Sequence, residues 1–132
     1  MRILIVDDHA SLRQGIAALL EANEGFQVCG EAENGKEAIE KTLALEPDVV
    51  LMDITMPVMG GFDAAQNILS AVPDMRIIFV TMHNSSEILK AVRGSGAKGF
   101  VSKTDVSDIL IEALNAVFWG QTYFGTAPQQ EL

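Results

Sequence analysis

Short apolar runs alternate along the chain with longer stretches in which apolar residues recur every three or four positions. The runs at residues 3–6, 26–31, 48–52, 75–80 and 97–101 are strand-sized. After the first of them, Leu12, Ile16, Leu19 and Leu20 form an i, i+4, i+7, i+8 stripe, the mark of a helix facing a core, here from about residue 9 or 10 to residue 22. Further helices are predicted over residues 36–45, 62–71, 86–93 and 105–118. The last carries Val106, Leu110, Ala113, Leu114 and Val117 on one stripe. The punctuation agrees: Asn34 can cap the second helix and Asn84 or Ser85 the fourth. Pro47, Pro73, Gly94, Gly96 and Gly120 stand where helices must stop.

Five strand–helix repeats with short connections imply a parallel sheet covered on both faces. Right-handed crossovers narrow this to an α/β doubly wound, flavodoxin-like (βα)5 sandwich of strand order 2-1-3-4-5. In that order strands one and three are neighbours. The first ends in Asp7-Asp8 and the third in Asp53, so three carboxylates converge at the carboxyl edge, where such sheets place their chemistry. Beyond Asp53, Pro57 fixes the backbone, while Gly60 and Gly61 permit conformations that other residues resist.

Composition bounds the function. At 132 residues, 48% of them hydrophobic, the chain suits one domain with a substantial core. A net charge of −9 without any Lys/Arg cluster argues against this domain gripping nucleic acid alone, and suits divalent cations. The one cysteine, Cys29, excludes an internal disulfide and reads as a small buried hydrophobe in strand two. The chain has neither a basic-then-apolar leader pattern nor a membrane-length apolar run, so the expectation is a soluble cytoplasmic protein without a membrane partner. Residues 1–120 are expected to form the domain, and residues 121–132, rich in Gln with Gly and Pro, a tail or the start of a linker.

The carboxylates belong to a larger pattern. It comprises Asp7-Asp8 after strand one, Asp53 after strand three, the spacing Asp53-x-x-x-Pro57-x-x-x-Gly61, Thr81 after strand four and Lys103 after strand five. On these residues the chain resembles the receiver domain of response regulators in two-component signalling, over about residues 1–118. Asp7-Asp8-His9, Thr81-Met82-His83 and Gly99-Phe100-Val101-Ser102-Lys103 are similar to the NarL/FixJ (LuxR-type) branch, whose members usually carry a carboxyl-terminal helix-turn-helix.

The resemblance implies a bacterial phosphoprotein that accepts a phosphoryl group on Asp53 from a sensor histidine kinase, a carboxylate being able to form an acyl phosphate. It implies Mg²⁺ held by Asp8, Asp53 and the Thr55 backbone carbonyl, with Asp7 acting through water, since that ion prefers hard oxygens and keeps several waters. Without metal, three close carboxylates should raise at least one pKa. Lys103 would pair with Asp53 and then with a phosphoryl oxygen, while Thr81 would donate to such an oxygen. Phe100 would follow as the aromatic switch residue, stabilised by packing alone because it lacks a hydroxyl. The output is then an altered strand 4–helix 4–strand 5–helix 5 surface. Thr104 replaces the proline often found after the lysine, so a trans bond is expected there.

Other readings have physical content. Asp53 could be a strand-end turn former and Asp7-Asp8 a helix cap. His9 and His83 could bind a metal, but more plausibly flank the pocket. Met52, Met56, Met59 and Met82 read as core filling. A haloacid-dehalogenase-like phosphatase also uses a nucleophilic Asp, but needs a second Asp where Thr55 stands. A docking pseudo-receiver or a stand-alone receiver are the remaining alternatives to a receiver detached from a DNA-binding output domain. Ile111 and Phe118, with Val106 or Trp119, are expected to form an exposed apolar patch for homodimerisation or effector docking.

Overall fold

The computed structural model describes residues 1–82, 84–124 and, for the backbone, 128–129. Its elements run β1 (Arg2–Val6), α1 (Ala10–Glu21), β2 (Gln27–Ala32), α2 (Gly35–Leu45), β3 (Val49–Met52), α3 (Gly61–Ala71), β4 (Arg76–Thr81), α4 (Ser86–Gly94), β5 (Gly99–Ser102), α5 (Val106–Phe118), β6 (Thr122–Phe124) and β7 (Pro128–Gln129). A 3-10 turn, Lys103–Asp105, joins β5 to α5.

The sheet order is β2-β1-β3-β4-β5-β6-β7. Every pairing from β2 through β6 is parallel, and β7 returns antiparallel to β6. The strands are apolar on both faces, as a sheet covered twice requires. Alternate residues feed two cores. Leu4, Val6, Val50, Met52, Ile77, Phe79 and Phe100 meet α2, α3 and α4 through Ala38, Ala65, Ile68 and Val92. Ile3, Ile5, Val49, Leu51, Ile78, Val80 and Val101 meet α1 and α5 through Ile16, Leu20, Leu110, Leu114 and Val117.

The helix ends follow their residues. Asn34 Oδ1 accepts from Glu37 N at 2.9 Å and Ser85 Oγ from Ile88 N at 3.2 Å, capping α2 and α4. Replacing Asn34 by Ala is expected to cost about 1 kcal/mol, the usual worth of such a cap; urea denaturation at neutral pH measures it, and a change below a few tenths would contradict it. Cys29 is half-buried, its Sγ donating to Ile3 O at 3.4 Å, and burial pushes the thiol above its ordinary pKa. No helix among the described residues is long and apolar enough to cross a membrane.

The carboxyl end departs from expectation. Residues 122–124, expected to lie in a tail, add a strand to the free edge of β5. Tyr123 is fully buried and Phe124 nearly so, so the apolar-rich Thr-Tyr-Phe run gains more from packing than its Gly/Gln neighbourhood suggests. Residues 125–127 and 130–132, also assigned to the tail, lie outside the described residues. The expected apolar patch also shrinks. Val106 and Ile111 pack partly against the α1/α5 core, and Phe118 is half-buried under the Arg76 guanidinium at 5.5 Å. Trp119 alone of the four is exposed, at 79%.

Candidate functional site

Parallel strands end together, so the residues just past them share one edge. Asp7 N donates to Ala32 O and Asp53 N to Val6 O, both at 3.0 Å. The ladder thus continues one residue beyond β1 and β3 and locks both aspartates side by side at the point where strand order reverses. Both are buried, as is Thr81 at the end of β4. Thr81 stands opposite Ser102 of β5.

Lys103, leading the 3-10 turn after β5, reaches back between the carboxylates. Its Nζ lies 2.8 Å from Asp7 Oδ2 and 3.0 Å from Asp53 Oδ2. The Lys103–Thr104 peptide is trans, and the loop is closed by Ser102 Oγ, 2.9 Å from Thr104 Oγ1. The remaining oxygens are also engaged. Asp53 Oδ1 accepts from Ile54 N at 2.8 Å, and Asp7 Oδ1 accepts from His9 N at 2.8 Å. His9 Nδ1 lies 3.2 Å from both Asp7 Oδ1 and Asp8 Oδ1. Asp7 therefore makes a local turn to the His9 amide and anchors the lysine as well, rather than capping α1 as the alternative reading had it. His9 itself is the cap residue of α1, without a side-chain cap bond.

The three charges shift one another. Burial acts most strongly on Asp53 and raises its carboxyl above the ordinary value, with the Asp7 charge adding, against the bonds from Lys103 and Ile54 N. Burial would raise Asp7 too, but the Lys103 bond and the His9 amide outweigh it and hold that carboxyl below the ordinary value. Burial works against the Lys103 ammonium, yet its two carboxylate partners raise its pKa. Mutual repulsion was expected to lift one aspartate; Asp53 is lifted mainly by desolvation, with repulsion second.

An open pocket of about 270 Å³ lies over this cluster, lined by Asp8, His9, Asp53, Thr55, Thr81, Met82 and Lys103. Ligand atoms of Asp7, Asp8 and His9 lie within 4.8 Å of one another. The carboxylates of Asp7 and Asp8, with Asp53 in the same pocket, suit a hard, oxygen-seeking cation, and the donor set fits Mg²⁺ on those grounds. His83 lies outside the described residues. The methionines divide: Met52 is buried and Met56 and Met59 pack against the core, whereas Met82, expected as core filling, is 60% exposed because it follows the last strand residue of β4.

The loop after Asp53 owes its shape to close approach. Gly61 N donates to Ile54 O at 2.7 Å, and a Cβ on Gly61 would meet Asp53 O at 2.0 Å. Neither Gly60 nor Gly61 has a positive φ, so the freedom expected of them is not what the loop uses. Lack of a side chain is. The unusual torsion falls on Val58, at φ +68°, where Met59 N donates to Pro57 O at 2.7 Å in a strained three-residue turn. That turn aims Met59 O at Gly35 N, 2.9 Å away, tying the loop to α2. Sequence patterns missed Arg13, whose Nη1 donates to Asp7 O at 2.5 Å and whose Nε pairs with Glu31 at 2.9 Å. A lone basic residue on an amphipathic helix carries no signal of such a role.

A doubly wound α/β sheet with a buried carboxylate pair bridged by a lysine at its switch point defines a narrow class of protein, and the comparisons agree on which. A family profile for the response regulator receiver domain matches residues 3–115, and the chain belongs to that family. Among curated proteins, Response regulator GacA of Pseudomonas viridiflava is 36% identical over 132 residues, all of this chain and 62% of its own length. Response regulator UvrY of Escherichia coli (strain K12) is 35% identical, with 61% of its length covered. The chain thus spans about three fifths of these relatives. Among solved structures, a two-component response regulator of the LuxR family from Aurantimonas sp. SI85-9A1 superposes with a TM-score of 0.89 at 34% identity, over 92% of this chain and 87% of that one. The non-phosphorylated receiver domain of the stress response regulator RcsB from Escherichia coli gives 0.88 at 31% identity, over 94% and 97%. These similarities favour the NarL/FixJ branch.

Proposed function

We propose that Asp53 is the phosphoacceptor of a cytoplasmic two-component switch and that its donor is the phosphohistidine of a sensor histidine kinase. The observation that carries this is the buried Asp53 carboxylate, facing an open pocket and bonded to Lys103 at 3.0 Å. In the transfer an Asp53 oxygen forms a bond to phosphorus as the phosphorus–nitrogen bond breaks, and the bonding electrons return to the donor imidazole. Such a transfer needs positioning and neutral surroundings for the equatorial oxygens more than it needs acid–base chemistry. Lys103, released from its carboxylates, pairs with one phosphoryl oxygen, and Thr81 donates its hydroxyl to another. Asp8, Asp53 and the Thr55 carbonyl would hold Mg²⁺, with Asp7 acting through water. Bound there, the ion would neutralise charge on the phosphoryl oxygens. Thr55 lacks a proton suited to general-acid work, which supports a switch over a phosphatase.

The consequence of transfer is a shift of β4, α4, β5 and α5 through Thr81 and Phe100, by which the domain changes its affinity for a partner or a second copy. In the full-length protein that partner would be a DNA-binding output domain regulating transcription, a reading supported by the GacA, UvrY and LuxR-family relatives. A stand-alone receiver or a docking module are the alternatives.

Intact mass tests the chemistry. With Mg²⁺ and acetyl phosphate, one base-labile phosphoryl group is expected on the native chain and none on Asp53→Asn. An unmodified native chain that also failed to bind beryllofluoride would favour the docking module.

A further inference from the structure

β6 lies along the outer edge of β5, with Gly99 opposite Tyr123 and Phe100 opposite Phe124. Tyr123 N donates to Lys98 O at 2.9 Å. A strand of three residues, paired on its outer edge only with the two-residue β7, makes few main-chain bonds, so side-chain anchors to both flanking helices add to its hold. Tyr123 joins the α1/α5 core, its hydroxyl donating to Glu112 Oε2 of α5 at 3.2 Å. Phe124 faces the other core, where the Arg93 guanidinium of α4 sits 4.4 Å from its ring centroid, within cation–π range.

Phe124 also ends a lateral row. Phe79 of β4 is opposite Phe100 of β5, and Phe100 is opposite Phe124; all three belong to one core. Phe62 of α3 extends the row, its ring centroid 5.0 Å from that of Phe79. The row thus begins two residues before Thr81 and ends at Phe124, the last residue of β6. Core packing is dense enough that one aromatic ring cannot move without its neighbours.

We propose that β6 is a latch on the switching face: a phosphoryl group on Asp53 draws in Thr81, disturbs Phe100, and so loosens Phe124 from Arg93 and β6 from β5. β7, paired with β6, then loosens from the sheet along with it. The latch rests on the reading of Asp53 as phosphoacceptor. It gives the α4–β5 side of the domain an intramolecular occupant whose release would uncover the β5 edge for pairing.

Amide hydrogen exchange at Tyr123, read by NMR on the 132-residue chain with Mg²⁺, tests it, with beryllofluoride binding followed separately by fluorine NMR. Bound beryllofluoride is expected to speed exchange at Tyr123 about tenfold, as local opening of an edge element does, while Leu51 in the central strand keeps its rate. Arg93→Ala without beryllofluoride is expected to produce the same selective gain. Unchanged Tyr123 exchange with beryllofluoride visibly bound would overturn the latch alone, as would an Arg93→Ala chain with native rates. No bound beryllofluoride would overturn the phosphoacceptor reading, and the latch with it.

Discussion

Replacing Lys103 by Met is expected to cost the chain about 3 kcal/mol near neutral pH, the range for removing one partner of a buried ion pair. The lysine side chain is only 11% exposed, and its partners Asp7 and Asp53 are 4% and 6% exposed. Without the ammonium, two buried carboxylates face each other, and neither has solvent enough to screen the repulsion. The pH dependence gives the prediction its sign. In the native chain Asp7 has a depressed pKa, so its contribution is present above the unfolded value and fades as pH falls through the folded one. Lys103 has a raised pKa, and its contribution holds below the unfolded value and is lost as pH rises through the folded one. In Lys103→Met the carboxylates keep burial and repulsion but lose the cation, so their pKa values rise. A carboxyl group with a raised folded pKa binds protons more tightly in the folded state, and stability therefore grows as pH falls. The deficit relative to the native chain should shrink between pH 7.5 and pH 5. Urea denaturation in EDTA at both values measures it; an equal deficit at the two would mean that Lys103 supports the fold by packing alone.

Gly61→Ala is expected to be comparably damaging, at about 3 kcal/mol, the upper end of the usual overpacking range. The added Cβ would stand 2.0 Å from Asp53 O, 2.9 Å from Asp53 C and 3.0 Å from Ile54 Cα. All three are main-chain atoms of Asp53 and Ile54, so relief requires moving either the end of β3 or the start of α3. The same substitution at Gly15, inside α1, has nothing within 4 Å of the new atom. There, helix propensity alone predicts a gain of roughly 0.5–1 kcal/mol. Thermal unfolding of the two variants side by side would separate close approach from propensity. Beryllofluoride affinity should fall for Gly61→Ala and stay native for Gly15→Ala. Equal stability of the two variants would remove the argument.

Much of this was legible from residue order. Continuous apolar runs mark strands covered on both faces and a period near 3.6 marks helices with one face on a core, and the latter located all five helices within one or two residues. Asp7, Asp53, Thr81 and Lys103 could be brought together without coordinates because parallel strands connected in a doubly wound order share one carboxyl edge. Asn34 and Ser85 cap as their chemistry suggests, because capping is a contact across three residues.

What remained hidden depends on distance along the chain. The expected Lys103–Asp53 pair is present, but Lys103 also binding Asp7, Arg13 reaching the Asp7 carbonyl, and Gly61 lying against the Asp53 backbone are outcomes of packing, and no local pattern encodes them. β6 is the clearest case. Three residues after a helix stop carry too little periodicity to declare a strand, and their Gly and Gln neighbours read as linker. Only the free edge of β5, with Arg93 and Glu112 placed on either side, turns Thr122–Phe124 into part of the sheet. Sequence by itself determined the five strand–helix repeats, the fold class and the residues at the carboxyl edge, because those follow from short-range periodicity and strand ends. Tertiary structure alone decided that Asp7 shares the lysine with Asp53, which glycine cannot change and where the sheet stops, because each is set by atoms brought together from distant parts of the chain.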